Sequence, residues 1–187
     1  NGYGLTGPFS EYPAFDPLIQ ALGGAMKDQW GSGDPVFLRI AASDYSSAIL
    51  SAYGIVSALY YRSRHNEGQH VEISLVNAAF AYQAAEYFNY PNKPTKPRLS
   101  SVGQSVDYRL YKAEDGWFFL SCKEDIEWNK MCHAVGMSGL ASHNKESRAE
   151  NQDVLNQKLE SLFISDQVSV WIDIFRKSGV KCATNKS

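Results

Sequence analysis

The apolar run from Ala48 to Tyr61 constrains the fold of this chain more than any other segment. A membrane-spanning helix needs about 20 predominantly apolar residues, whereas this run is shorter and is interrupted by Ser51 and Ser57. A helix that is apolar on most sides needs cover on most sides. We therefore predict a helix buried inside a sizeable domain and no association with a membrane.

The composition of the 187 residues is ordinary for a folded protein. A net charge of −2 argues against nucleic acid as a partner, because nucleic-acid binding usually needs a basic face. The cysteines Cys122, Cys132 and Cys182 fit no metal motif, so we predict free thiols in a reducing cytoplasm and no metal. The chain starts without Met and ends without an obvious terminal element, so we expect a piece of a longer protein.

The first half of the chain alternates loops with helical and β-prone segments. Residues 1–13 are rich in Gly, Pro and Tyr and predict a loop, after which Asp16 is expected to cap a helix with Pro17 in its first turn. The patterns that follow predict a short strand or extended segment at 36–40, a helix at about 44–62, a strand at 69–75 and a helix at 77–88.

A linker is predicted at 91–104, where three prolines fall close together among lysines. Beyond it, two β-prone runs flank Asp115 and Gly116, a pair that is typical of a tight hairpin turn. Apolar residues at helical spacing then predict helices at about 126–135 and around 155–163 and 168–175. Residues 105–187 are therefore expected to form a small α+β domain.

Asp44 is the main candidate for chemistry, since it stands among small residues directly before the long helix. The unpaired N–H groups and the dipole at a helix start favour an ionised carboxylate. Small neighbours leave the carboxylate open to a substrate, so it can act as a nucleophile. The competing interpretation is a plain helix cap, the commoner role of an isolated aspartate in this position.

The other polar candidates are more typical of surface or structural positions. The histidines have no partner at metal-ligand spacing, and the serines that follow Asp44 lack the strand–turn–helix setting of a hydrolase nucleophile. The chain has no complete G-x-G-x-x-G or Walker motif. The residues set aside in this way are His65, His70, His133, His143, Ser46, Ser47 and Glu124.

Several segments, taken in chain order, resemble motifs of one family. Residues 2–8 have the sequence GYGLTGP of its glycine-rich loop, residues 16–24 its D-x-x-x-Q-A-x-x-G helix, and residues 68–75 its G-Q-x-V-x-x-S-L strand. Asp44 stands where the family has its catalytic aspartate, residues 115–117 have its D-G-W hairpin, and residues 179–180 resemble a late G-V/I segment. In these motifs the chain resembles the class III coenzyme A transferases, also called the CaiB–BaiF family, over nearly its whole length.

The resemblance implies an α/β fold in which two chains interlock as a homodimer. Residues 1–90 would be the C-terminal portion of a Rossmann-like large CoA-transferase domain, 91–104 the linker and 105–187 the small domain. The active site of such enzymes lies between subunits. The chain would then be a central to C-terminal fragment of the enzyme.

The resemblance also implies a reaction. Asp44 would attack an acyl-CoA to give a mixed anhydride, the CoA thiolate would form an aspartyl-CoA thioester, and an incoming carboxylic acid would take the CoA. The resemblance implies that coenzyme A enters as part of the substrate and that no cofactor is bound permanently. The residues that the resemblance assigns to substrate or CoA binding are Gly2, Tyr3, Gly4, Gln20, Gly103 and Gln104.

Two alternatives accompany this assignment. The same superfamily contains α-methylacyl-CoA racemases, which place a histidine beside the first-helix aspartate; here that position is Phe15, which cannot exchange a proton. Glu124 falls near a racemase carboxylate and keeps this alternative open. The other alternative is a non-catalytic fragment that only dimerises through exposed aromatic residues.

Overall fold

The structure, a computed structural model, describes residues 1–29, 34–93 and 100–186. The chain divides into two compact units, Asn1–Thr95 (unit 1) and Lys96–Ser187 (unit 2). Of the predicted linker, residues 94–99 lie outside the described residues, and its last two residues belong to the first strand of unit 2. Over the described residues, no helix has both the length and the apolar character that crossing a membrane requires.

The regular secondary structure that is described in unit 1 consists of helices. The long helix predicted at 44–62 is confirmed and extends further at both ends, and it stops where Asn66 adopts a left-handed conformation with φ 55° and donates its N–H to Arg62. The helices are α1 Asp16–Leu22, α2 Ala25–Asp28, α3 Ala42–His65, α4 Leu75–Tyr82 and α5 Ala84–Tyr87.

The burial predicted for the long helix is wrong in this chain. Of the 24 residues of α3, only Ser43 is fully buried. Large apolar side chains stand out from the helix at four positions spaced three or four residues apart, where they are between 61% and 73% exposed: Ile49, Tyr53, Val56 and Tyr60. We call these four residues the α3 stripe. It supplies the apolar surface that the sequence predicted, but no described residue covers it.

The strand predicted at 69–75 is wrong, and of the two forms predicted for 36–40, a strand or an extended segment, the strand is not formed. Residues 36–40 and 69–74 belong to no strand, and unit 1 has none among its described residues. The segment 69–74 instead contacts the start of the chain, and it ends where the Ser74 hydroxyl accepts a hydrogen bond from Asn77 N at 3.2 Å and caps α4. Alternation alone could not produce a strand here, because a strand also requires a neighbouring strand for its hydrogen bonds.

Unit 2 is an antiparallel sheet packed with helices, as predicted. Its strands lie in the order β1 Gly103–Ser105, β2 Tyr108–Lys112, β3 Trp117–Ser121 and β4 Lys181–Asn185. The predicted hairpin is confirmed: Lys112 pairs with Trp117 across the turn. Strand β4, which the sequence did not predict, adds to β3 with Leu120 opposite Cys182.

The helices of unit 2 bury apolar residues at regular spacing. They are α6 Asp125–Ala134, α7 Lys145–Glu150, α8 Gln152–Phe163 and α9 Val168–Ser178. Aromatic rings from β3, α8 and α9 meet in the core, where Phe118 and Phe163 have ring centroids 5.1 Å apart and Phe163 and Trp171 5.2 Å apart. The three predicted helical faces are therefore confirmed, and they close a core of their own.

A buried ion-pair network joins the loops of unit 2. The side chain of Arg148 is 2% exposed, and its guanidinium pairs with Asp107 at 2.8 Å and with Asp125 at 2.7 Å. The same group donates to the main-chain oxygens of Lys123 at 2.6 Å and His143 at 3.0 Å. A buried cation is tolerated only when its donors are paired, and this one is paired on several sides.

Candidate active site

Asp44 lies in the first turn of α3, and its side chain is exposed. The helix has Ala41 at its N-cap position, and no side chain within the helix start caps it. Asp44 is therefore not the N-cap residue of its own helix. The structure does not support the competing interpretation, in which Asp44 serves only as a helix cap. The carboxylate is left available in the positive end of the helix dipole.

Asp16 supplies the acceptor that the start of α3 needs. The sequence predicted that Asp16 would cap its own helix; instead Phe15 is the N-cap residue of α1, and Asp16 is buried at 6% exposure. Its Oδ1 accepts hydrogen bonds from the N–H of Ser43 at 2.7 Å and of Asp44 at 3.3 Å. Asp16 caps α3 because the first-turn N–H groups of that helix need a hydrogen-bond acceptor and α3 offers none of its own.

Gln20 lies beneath this contact and is fully buried. Its side-chain amide donates to Asp16 Oδ2 and to the main-chain oxygen of Ile40, the latter at 2.9 Å. Its Oε1 has no hydrogen-bond partner among the described residues. In this structure Gln20 supports the approach to α3 and is closed to solvent.

A cavity of about 320 Å³ opens beside Asp44. Apolar side chains of Phe15, Phe37 and Leu38 form part of its wall, and Phe15 and Phe37 are 66% and 63% exposed. Its charged lining residues are Asp16, Arg39 and Asp44. A thioester or a small carboxylate could enter such a space, with an apolar wall for its carbon atoms and a guanidinium for a negative charge.

The glycine-rich segment at the start of the chain borders this region through Ala14. A methyl group on Gly2 would lie 2.2 Å from Ala14 Cβ, and Ala14 lines the cavity, so only glycine fits at position 2. The main-chain oxygens of Asn1 and Gly2 accept from the N–H groups of Leu75 and Val76 at 3.1 Å each. Gly4 has φ +100°, a conformation that favours glycine.

Tyr3 and Gly4 do not line the cavity, and Glu72 helps to hold their segment in place. The Tyr3 ring packs on Phe9 with centroids 5.7 Å apart. Glu72 Oε1 accepts hydrogen bonds from Asn1 Nδ2 at 3.0 Å and from Leu5 N at 3.2 Å. The segment is thus a hydrogen-bonded turn that packs on the start of α4.

The remaining predicted binding residues, Gly103 and Gln104, belong to unit 2. Both lie in β1, and Gln104 is exposed. Gly103 has φ +153°, and a methyl group there would lie 2.5 Å from Arg109 Cα, so the strand pairing requires glycine. Asp44, Asp16 and Gln20 are therefore brought together in unit 1, with Gly2 nearby, whereas these two residues are described only within their own unit.

The other polar groups have local structural partners. His133 Nδ1 lies 2.9 Å from Ser138 Oγ and His143 Nδ1 lies 2.7 Å from Ser147 Oγ. In the part of the chain that the structure describes, no three His, Cys, Asp or Glu side chains converge as a metal site. Glu124 forms a capping box with Glu127 at the start of α6, which engages the carboxylate nearest a racemase position.

The thiols of unit 2 are poor nucleophiles. Burial raises the pKa of the Cys132 thiol to about 12 and raises that of Cys122 further above its usual value. The thiolate is the reactive form of cysteine, so a thiol kept protonated is inert at neutral pH. These residues do not compete with Asp44 as a covalent nucleophile.

Sequence reasoning missed two residues of this region. It made Asp16 the cap of α1 and missed that its carboxylate caps α3, although the sequence holds a signal: Ala41 is a poor N-cap, so α3 needs an acceptor from elsewhere. It also gave no role to Arg39, whose position five residues before Asp44 carries no local pattern. Only the folding of 37–41 against α1 brings its charge to the cavity.

The sequence model of CoA-transferase family III matches residues 1–187. Acetyl-CoA:oxalate CoA-transferase of Acetobacter aceti is 27% identical over 96% of this chain and 48% of its own length. Human succinyl-CoA:glutarate CoA-transferase is 25% identical over 96% of the chain and 42% of its own length. The chain thus spans about half the length of these curated relatives.

Solved structures agree with the fold. The crystal structure of the hypothetical protein Rv3272 from Mycobacterium tuberculosis matches with a TM-score of 0.82 at 22% identity, over 100% of this chain and 51% of that one. A CAIB/BAIF family protein from Brucella suis matches with a TM-score of 0.80 at 25% identity, again over 100% of this chain and 51% of the other. The predicted fold class, a fragment of an α/β fold, is confirmed.

Proposed function

Because the chain belongs to CoA-transferase family III, we propose that the protein transfers CoA from an acyl-CoA to a carboxylic acid through a covalent intermediate on Asp44. The observation that carries this proposal is the exposed carboxylate of Asp44 beside a cavity, in a helix start that another residue caps. A carboxylate that is exposed and does not cap its own helix is available for nucleophilic attack.

The proposed reaction balances without an external acid or base. Asp44 attacks the thioester carbonyl, the C–S bond breaks, and CoA leaves as a thiolate while a mixed anhydride forms. The thiolate then attacks the Asp44 carbonyl of the anhydride, which releases the donor acid and leaves an aspartyl-CoA thioester. An acceptor carboxylate attacks this thioester, and the thiolate released attacks the acceptor's carbonyl, so that the new acyl-CoA forms and Asp44 is regenerated.

The neighbouring residues take supporting roles in this proposal. Arg39 is the cation of the cavity, and we assign it to a carboxylate of the donor or acceptor acid. The resemblance assigns Gly2, Tyr3 and Gly4 to substrate binding, and of these Gly2 packs on Ala14 of the cavity wall. Gln20 is buried and would act by holding Asp16. The resemblance adds Gly103 and Gln104 of β1 as substrate contacts.

The acyl donor and acceptor are proposed only by class. The names of the relatives pair acetyl-CoA with oxalate and succinyl-CoA with glutarate. We propose a small dicarboxylic acid as acceptor, in line with these names and with the charge of Arg39. The racemase alternative is weaker, because Phe15 beside the cavity cannot exchange a proton.

We also propose that the protein is a cytoplasmic homodimer. Its three cysteines are unpaired, as expected in a reducing compartment. The α3 stripe is an exposed apolar surface of the kind that marks a protein–protein contact. A second copy of the chain is the occupant that we assign to it.

The test is a covalent adduct. The purified protein is incubated with acetyl-CoA or succinyl-CoA, with and without oxalate or glutarate, and both the acyl-CoA products and the peptide containing Asp44 are analysed by mass spectrometry. We expect a CoA or acyl adduct on Asp44, and the Asp44→Ala variant should lose transfer by roughly 10³-fold or more. Glu11→Gln, which neutralises an exposed carboxylate of the same unit, is the matched control. Turnover retained by Asp44→Ala would rule the proposal out.

A further inference from the structure

We infer that Asp16 is a positioning residue for Asp44: its carboxylate fixes the backbone that presents the nucleophile and does not itself react. The inference rests on the proposed role of Asp44. It assigns to Asp16 a function that its place in a different helix, α1, does not suggest.

The geometry begins with the missing cap of α3. Ala41 offers no side-chain oxygen, so the first-turn N–H groups would be left without an acceptor. Asp16 Oδ1 takes two of them, Ser43 N at 2.7 Å and Asp44 N at 3.3 Å. The second hydrogen bond is made to the backbone of the proposed nucleophile itself, across 28 residues of sequence.

The carboxylate of Asp16 is held from its other side as well. Gln20 donates to Asp16 Oδ2 and to Ile40 O, so a single buried amide fastens both the acceptor and the turn before α3. With both oxygens engaged and 6% of the residue exposed, Asp16 is poorly placed to attack a substrate. The two carboxylates of the cavity therefore have different tasks, one structural and one chemical.

The expected consequence is a change in rate more than in affinity. Attack requires the reacting atoms at about 3–3.5 Å with the right alignment, and a misplacement of about 1 Å can cost 10²-fold. Without Asp16 the first turn of α3 would fray, and the Asp44 carboxylate would sample more positions. Binding of the acyl-CoA depends on a much larger surface and should change little.

The experiment compares Asp16→Ala, Asp16→Asn and Ser74→Ala in the purified protein, with acetyl-CoA or succinyl-CoA as the probe. Asp16→Asn keeps an acceptor oxygen, whereas Asp16→Ala removes it. Ser74→Ala removes a buried cap from α4 in the same unit and controls for a loss of stability alone. The burst amplitude gives the fraction of competent sites, and the burst rate gives adduct formation per site.

We expect Asp16→Ala to slow adduct formation on Asp44 by about 100-fold. The KM for the acyl-CoA should stay within about threefold of that of the unmodified protein, because binding depends on a larger surface. Asp16→Asn should recover most of the rate, and Ser74→Ala should leave the rate per competent site unchanged. A normal rate in Asp16→Ala, or an Asp16→Asn variant as slow as Asp16→Ala, would overturn the inference. So would an equal loss in Ser74→Ala.

A second measurement keeps this inference separate from the proposed function. Hydrogen exchange followed by mass spectrometry on the peptide that contains residues 42–47 reports the Ser43 and Asp44 N–H groups without any substrate. Loss of a cap should speed their exchange by roughly tenfold in Asp16→Ala, and Ser74→Ala should not alter it. If the unmodified protein forms no adduct, the proposed function fails while this result still decides whether Asp16 holds the start of α3.

Discussion

The two units treat their long apolar helices in opposite ways. In unit 2, α9 turns Val168, Trp171 and Phe175 inward at spacings of three and four residues, and all three are buried. In unit 1, α3 is more than twice as long, yet it buries one residue and exposes the α3 stripe. An amphipathic helix can bury its apolar face against one sheet or one pair of helices. A helix that is apolar on most sides needs packing partners in several directions.

The contacts that stabilise the folded chain differ between the two units. Unit 2 has a closed aromatic core and the buried Arg148 network, so it holds together by its own contacts. Unit 1 presents the proposed nucleophile on a helix whose α3 stripe is exposed among the described residues. Chemistry and stability are thus assigned to different parts of the chain, and each prediction below tests that division.

The largest effect is expected in the ion-pair network of unit 2. Arg148→Leu would leave the Asp107 carboxylate buried without its partner and should lower the free energy of unfolding by about 3–5 kcal/mol. The free energy of unfolding is measured by urea titration, in which alkylation of the unit 2 cysteines reports the unfolded fraction. The matched control is Arg176→Leu, whose ion pair with Asp173 is exposed and should be worth about 0–1 kcal/mol.

This prediction has its own internal check. Adding Asp107→Asn to Arg148→Leu removes the stranded charge, so the double variant should be more stable than Arg148→Leu alone. A loss below about 1 kcal/mol for Arg148→Leu would mean that the network does not hold unit 2 together. The contrast between the units would then rest on the aromatic core alone.

A second effect follows from the buried thiols, all of which lie in unit 2. Burial raises the pKa of the Cys132 thiol to about 12 from 9.0. The stabilising contribution is complete below pH 9.0, where the unfolded thiol is also protonated, and it is lost as the pH rises from there towards the folded pKa. Between pH 8 and pH 10, one such thiol should cost about 1.4 kcal/mol.

The measurement is the free energy of unfolding at pH 8 and pH 10 for the unmodified protein and for Cys132→Ala. The variant is expected to lose less stability over that interval, by about 1.4 kcal/mol. Cys182→Ala, at a half-buried thiol, should reduce the pH dependence by a smaller amount. An unchanged pH dependence in Cys132→Ala would show that this thiol is not buried in the folded protein.

Local signals predicted unit 2 better than unit 1. The hairpin follows from Asp115 and Gly116 because the turn and both strands are adjacent in sequence, and α8 and α9 follow from the spacing of their apolar residues. Strand β4 could not be predicted, because its partner β3 lies 60 residues earlier and β4 is a short, largely exposed segment. Pairing over such a distance leaves no pattern in the strand itself.

The candidate site shows the same division between local and distant information. Asp44 could be located from its small neighbours and its place before a helix. That Asp16 would cap α3 and that Gln20 would be buried under it depend on contacts 20 to 28 residues apart, which no periodicity encodes. The segment 69–74 has the alternation of a strand and still forms none, because the contact it finds is the chain start.

A smaller effect is expected from the cap of α4 in unit 1. Ser74→Ala removes the hydroxyl that accepts from Asn77 N and should cost about 1 kcal/mol. Hydrogen exchange of the α4 peptide measures the loss locally. Ser161→Ala is the control, because its hydroxyl donates to Gln157 O within an exposed helix turn and should change stability by less than about 0.5 kcal/mol.

The smallest change in stability is expected on the α3 stripe, where the consequence should appear in association instead. Tyr53 is 73% exposed, so Tyr53→Ser should alter the free energy of unfolding of the monomer by no more than about 0.5 kcal/mol. If a second copy covers the stripe, the same variant should weaken the dimer in sedimentation velocity measured over a range of concentrations. Val154→Ser, at an apolar residue of unit 2 that is 53% exposed, should leave association unchanged.

Two results with these variants would contradict an exposed α3 stripe that binds a second copy. A loss of more than about 2 kcal/mol in monomeric Tyr53→Ser would mean that the stripe is packed within one chain, and unit 1 would then be as self-sufficient as unit 2. Equal dimerisation of Tyr53→Ser and the unmodified protein would exclude the stripe from the interface. An effect on association without an effect on monomer stability is the result that assigns α3 to contact between copies, because only there would its exposed apolar residues leave water.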